Sequence, residues 1–237
     1  CAFTNRNAET INIPVKKVWV GKPLTATSVE FTLSNDAGLT INPDKLTLSD
    51  TVLEGTFNNL PKYKVGEGNV LQPIKYTITE TPVPGYTPDK LSCEVTSTIP
   101  TQGCTFTNTN TEKISIPVAK RWVGLPADGT TVKFTLSSNP DVELPVSELN
   151  LVTPATSVTF QNLPKYAVNA ANELVPVVYT VAETPVTGYT PDKTTCQVTS
   201  TSVSDGCTFT NTNNETIDIP VSKSWVGQPP RGTVVTF

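Results

Sequence analysis

The chain reads as all-β, a tandem array of β-sandwich units, and three observations lead there. The first is an internal period of 103 residues: Ile13-Pro-Val-Lys-Lys-Val-Trp-Val-Gly21 returns as Ile116-Pro-Val-Ala-Lys-Arg-Trp-Val-Gly124 and as Ile219-Pro-Val-Ser-Lys-Ser-Trp-Val-Gly227. Self-similarity at fixed spacing defines the unit that folds. The second is period-two alternation in short runs separated by Gly, Pro, Asn and Asp clusters. The third is composition: 21 Pro and 13 Gly among 237 residues, with abundant Thr, Val and Asn and no Gly-X-Y period, suit strands and turns better than helices or collagen.

The offset holds without insertion or deletion through Phe31/Phe134/Phe237, Phe57/Phe160, Tyr76/Tyr179, Cys93/Cys196 and Cys104/Cys207. Two complete units follow, 9–111 and 112–214. Cys1 to Asn5 repeat Cys104 to Asn108, so 1–8 reads as the last strand of a preceding unit and 215–237 as the first strands of a following one. The chain is expected to be an interior stretch of something longer. The joint from Asn108 to Ile114 has no Gly/Ser-rich stretch and no long charge run, which predicts successive units sitting close together like segments of a rod.

Within a unit the first strand runs through Ile13 to Trp19. A second alternating run is Ser28 to Leu33, a third is Lys75 to Glu80, and the last is Thr105 to Asn108. About seven strands in ~100 residues make a sandwich.

Composition removes several functions. A net charge of −4 leaves no basic stripe for phosphates or an anionic bilayer, so neither nucleic acid nor membrane is an expected partner. No apolar run approaches the ~18 residues of a membrane span. There is no His, which removes His-based triads and the commonest zinc ligand. No metal site and no cofactor are expected.

Cys93 and Cys104 flank a turn-rich segment, as do Cys196 and Cys207, and each pair is expected to close a disulfide across one antiparallel hairpin. Two further soft ligands for zinc are missing nearby, so the pattern points to disulfides and an oxidising environment. A loop this short contributes roughly 3 kcal/mol. Cys1 is left over, its partner expected upstream.

Alternation then assigns faces. Ile13, Val15, Lys17 and Trp19 share one side. The opposite side drifts between repeats, Lys16 becoming Ala119 and Ser222, and reads as solvent. Glu80 shares a side with Tyr76 and Ile78, and Asn108 with Cys104 and Phe106. An amine, a carboxyl and a carboxamide therefore face the core. Burial of unpaired charges costs several kcal/mol, so one reading is a buried Lys–Glu ion pair with Asn as its neighbour. The other uses the burial chemically. An apolar pocket lowers a lysine pKa and raises a carboxyl pKa, so a neutral amine can face a protonated acid. The acid polarises the Asn carbonyl, the amine attacks, and ammonia leaves, giving one Lys–Asn isopeptide bond per unit.

These residues resemble the Cna B-type domains of Gram-positive surface proteins, named for the B repeats of collagen adhesin. The likeness rests on Val15-x-Lys-Val-Trp19, Phe57-x-Asn-Leu-Pro-Lys-Tyr63, Tyr76-Thr-Ile-Thr-Glu-Thr-Pro-Val-Pro-Gly-Tyr86 and Phe106-Thr-Asn-Thr109, with the second unit repeating the pattern at Phe160–Tyr166, Tyr179–Tyr189 and Phe209–Thr212. The resemblance implies an Ig-like, prealbumin-like sandwich and an isopeptide bond from the first-strand lysine to the last-strand asparagine, assisted by the glutamate. That assigns Lys17, Glu80 and Asn108 to the first unit and Lys120, Glu183 and Asn211 to the second, with Asn5 and Lys223 as orphans. The cysteine pair departs from the usual family pattern.

The expected role is a stalk or fibre module of a bacterial surface or secreted protein, extracellular, mechanical and not enzymatic. Its expected partners are neighbouring repeats of the same chain, with lateral self-association or a host or matrix ligand through other regions. Two alternatives stand beside it: an adhesive ligand-binding module, with Tyr63, Tyr86, Tyr166 and Tyr189 as candidate contacts, and the backbone subunit of a sortase-assembled pilus.

Overall fold

Alternation carried over eleven residues builds the first strand of each unit, because one face must meet a core and the other water. In the computed structural model, which describes residues 1, 6–203 and 206–236, β1 (Thr10–Val20) buries Ile11, Ile13, Val15, Lys17 and Trp19 and turns Asn12, Pro14 and Lys16 outward. The rest of the unit is β2 (Ser28–Asn35), β3 (Lys45–Ser49), β4 (Glu54–Pro61), β5 (Tyr63–Val65), β6 (Leu71–Pro73), β7 (Lys75–Glu80), β8 (Tyr86–Pro88), β9 (Ser92–Thr96) and β10 (Cys104–Asn110). The second unit repeats them as β11 (Lys113–Val123), β12 (Thr131–Asn139), β13 (Glu148–Val152), β14 (Ser157–Pro164), β15 (Tyr166–Val168), β16 (Leu174–Pro176), β17 (Val178–Glu183), β18 (Tyr189–Pro191), β19 (Thr195–Thr199) and β20 (Cys207–Asn213).

Two four-stranded sheets face each other in each unit, β4-β1-β10-β8 against β3-β2-β7-β9, and β14-β11-β20-β18 against β13-β12-β17-β19. The pairs β5-β6 and β15-β16 form separate two-stranded ribbons. Each unit therefore has ten strands where about seven were expected. The extra ones, β5, β6 and β8, are three residues each, too short to carry an alternation signal.

The first and last long strands are neighbours and run parallel. Lys17 lies opposite Phe106 and Trp19 opposite Asn108; in the second unit Lys120 lies opposite Phe209 and Trp122 opposite Asn211. A parallel pairing of terminal strands needs everything between them as its crossover, so this contact closes the whole unit.

Both disulfides form, Cys93–Cys104 and Cys196–Cys207. Their place differs from the expected hairpin. Cys93 sits on β9 and Cys104 on β10, which belong to opposite sheets, so the bond staples one sheet to the other. The ten intervening residues turn a corner of the sandwich instead of reversing within a sheet. Cys1 is free and exposed.

Only Thr111 and Glu112 separate β10 from β11. Residues 214–236 carry no strand; the repeat's equivalents of β4 and β10, which pair with β1 in the complete units, are not among the 237 residues.

Candidate functional site

Three strands from two sheets bring the polar groups together. Lys17 comes from β1 and Asn108 from β10, adjacent in one sheet, while Glu80 reaches across from the end of β7 in the other. Phe31 and Phe106 pack beside them, ring centroids 5.1 Å apart. All three polar groups are sealed from water, Lys17 and Asn108 at 0% exposure and Glu80 at 1%.

Lys17 Nζ lies 3.2 Å from Glu80 Oε1 and 3.5 Å from Oε2. It also donates to the Phe106 carbonyl at 3.3 Å and sits 4.8 Å from the centre of the Trp19 ring. Asn108 Nδ2 donates to Glu80 Oε1 at 2.6 Å. The glutamate thus holds the amine and the amide on one carboxylate. Asn108 Oδ1 is buried without a hydrogen-bond partner. Burial pushes the Lys17 amine below its usual range, against an opposing pull from the Glu80 charge and hydrogen bond.

The second unit reproduces this on β11, β17 and β20. Lys120 Nζ lies 3.1 Å from both Glu183 oxygens, Asn211 Nδ2 donates to Glu183 Oε1 at 2.6 Å, and Asn211 Oδ1 is left without a partner. Burial likewise lowers the Lys120 pKa, opposed by Glu183.

Of the two orphans, Asn5 lies outside the described residues. Lys223 lies in the exposed segment after β20, 4.9 Å from the Trp225 ring, and meets no carboxylate there among the described residues.

The Phe106 carbonyl was not legible from side-chain patterning, because a backbone acceptor leaves no mark in composition. Its signal lies in the register, which sets Phe106 opposite Lys17. The four tyrosines weighed as ligand contacts are half-buried. Tyr86 packs edge-on against Trp19 at 4.9 Å and donates its hydroxyl to the Gly21 carbonyl at 2.9 Å; Tyr189 packs the same way on Trp122. Those two rings complete the sandwich ends.

Residues 13–109 and 116–212 each match the Cna protein B-type domain. The chain belongs to that family. Cna B-type domains are structural modules and not enzymes, and this chain carries two in tandem. A search of curated protein sequences returned no match. Among solved structures, the major pilin T-13 of Streptococcus pyogenes is 14% identical, with a TM-score of 0.32 over 88% of this chain and 98% of that one. Shaft pilin SpaA from Lactobacillus rhamnosus GG is 13% identical, with a TM-score of 0.33 over 89% and 100% of the two chains. The Bacillus anthracis TIE protein is 17% identical, with a TM-score of 0.40, and this chain covers 34% of its length.

Proposed function

We propose that these Cna B-type units are the stalk of an extracellular bacterial surface or secreted fibre, each unit locked by an isopeptide bond it forms itself. The observation that carries the reading is the buried cluster in which one carboxylate contacts both the Lys17 amine and the Asn108 amide, repeated at Lys120, Glu183 and Asn211. Nζ attacks the Asn Cγ, a new C–N bond forms, the old Cγ–N bond breaks, and the amide nitrogen leaves as ammonia. The glutamate relays one proton from the attacking amine to the leaving nitrogen, so it ends unchanged and nothing external is consumed.

The topology gives that bond its purpose. Force enters a unit at the start of β1 and leaves at the end of β10, and these strands are parallel neighbours. A Lys17–Asn108 bond passes the load directly between them and removes residues 18–107 from its path. Closing a loop of that size takes roughly 4–5 kcal/mol from the unfolded chain on the chain-entropy formula. Residues 1–8 and 215–237 extend the same register, as the end of one further unit and the beginning of another.

The test is the intact mass of the whole chain. One ammonia should be lost per complete unit, beyond two hydrogens per disulfide. A mass showing disulfides alone would leave an ion pair in each core and remove the self-locking part of the reading.

A further inference from the structure

The joint between the two units is a built contact, and its parts recur where no neighbour sits. At the tip of the β15–β16 ribbon, Asn172 holds a left-handed backbone, φ 62°, and grips the end of β1. Its Nδ2 donates to the Trp19 carbonyl at 2.8 Å, its Oδ1 accepts from Gly21 N–H at 2.7 Å, and its own carbonyl accepts from Lys22 N–H at 2.8 Å. Lys22 and Glu173 then pair as a short parallel bridge. Leu174 closes over Gly21, where an added Cβ would run into the leucine Cδ2.

The first unit carries the same ribbon with none of the described residues docked on it: Asn69 has φ 62°, and Leu71 is 43% exposed where Leu174 is 7%. The second unit carries the same strand end, uncovered. Trp122 is half-buried where Trp19 is 4% exposed, and Gly124 is exposed where Gly21 is buried. Leu71 and Leu174, Trp122 and Trp19, and Gly124 and Gly21 are the same residues at equivalent positions of the two repeats, and the presence of a neighbour accounts for these differences.

We propose that the Asn69 ribbon is a plug, and the Trp122–Gly124 strand end its socket, each made for another repeat of this same kind. The plug reads main-chain groups and the glycine that lets the leucine approach, so any unit ending its first strand in Trp-Val-Gly fits. Plug and socket lie on different surfaces of a unit, so the contact is head-to-tail and not self-complementary, the kind that builds arrays wherever its rotation does not close a ring. The inference extends the stalk reading by supplying its joint, and it does not require the isopeptide bond.

Two versions of the full chain test it, both carrying Cys1→Ser. One has Val70→Cys and the other Leu125→Cys, the exposed equivalents of the bridged Glu173 and Lys22. Mixed at high concentration under mild oxidation, they should give V70C–L125C dimers in excess over either homodimer. Asn69→Ala added to the V70C chain should cut that product about tenfold, the loss of one to two net hydrogen bonds. Lys22→Cys with Glu173→Cys in a single chain should close internally and fixes the expected reactivity of the pair. Statistical mixing of dimers, or a yield unmoved by Asn69→Ala, overturns the proposal. Intact mass of the same samples reads ammonia loss separately, so failure of the joint and failure of the self-locking reading are distinguishable.

Discussion

Asn108 gives its amide hydrogen to Glu80 Oε1 at 2.6 Å and leaves its own oxygen buried and unpaired. That orientation suits an ionised glutamate, which can only accept. The attack described above needs the opposite one, with a protonated glutamate donating to the asparagine oxygen. A half-turn of the carboxamide exchanges them, because its N and O occupy nearly equal volumes. The unpaired oxygen is therefore the group that a proton on Glu80 would satisfy, and Asn211 with Glu183 repeats the arrangement.

Glu80→Gln separates the relay from the packing. The amide fills the same space but cannot carry the proton between amine and leaving group, so the first unit should retain its ammonia while the second loses one. The variant also strands the Lys17 ammonium, for which breaking a buried pair costs about 3–5 kcal/mol. Lys17→Met with Glu80→Leu, also unlocked, removes both charges and should be the more stable of the two in denaturant titration. Full ammonia loss in Glu80→Gln would contradict the assignment of the relay.

Much of this was legible in the sequence for one reason: a strand's faces alternate, and one wrong-footed residue stands out. Lys17 among Ile13, Val15 and Trp19 was visible in that way, as were Glu80 beside Ile78 and Asn108 beside Phe106. What alternation cannot give is the partner of a strand. Cys93 and Cys104 looked like the arms of a hairpin because they are near in sequence, yet β9 pairs with β7 and β10 with β1. The ribbons β5–β6 and β15–β16 escaped for want of length, and with them the grip of Asn172 on Trp19 and Gly21, a contact between residues 153 and 151 positions apart.

The staple across the sheets should matter less than the proposed Lys17–Asn108 bond across the strands. Cys93→Ser with Cys104→Ser opens a short loop, worth about 3 kcal/mol, and frees one edge of the sandwich. The first unit should still fold, lose its ammonia and resist proteolysis better than Lys17→Ala, in which the longer loop is open. Faster digestion of the cysteine variant than of Lys17→Ala would reverse that ranking.

Alkaline stability should be limited by two tyrosines. Burial pushes Tyr76 and Tyr179 up to about 12 from an ordinary 10.0, with Asp36 adding to the effect at Tyr76, and the Tyr76 hydroxyl donates to the Pro61 carbonyl at 2.6 Å. The folded state holds these protons after the unfolded chain has released them. Their contribution is complete below pH 10 and declines between about pH 10 and 12. Tyrosinate absorbance should show two groups ionising near the upper end, and Tyr76→Phe should remove one; a titration unchanged by that substitution would contradict the assignment.

The lysine works in the other direction, and only where it is still an amine. In Asn108→Ala the bond cannot form, and Lys17 stays in the core with its pKa held below 10.5 by burial, Glu80 opposing. There the folded state releases the proton before the unfolded chain does. Stability of this variant should therefore rise as the pH climbs through the folded pKa toward 10.5, the reverse of the tyrosine effect. In the self-locked unit proposed above, Lys17 would be an amide with no such proton to lose. Denaturant midpoints of the two proteins should draw together on going from neutral pH toward 10, and a gap that stays constant would mean that the native lysine is a free amine as well.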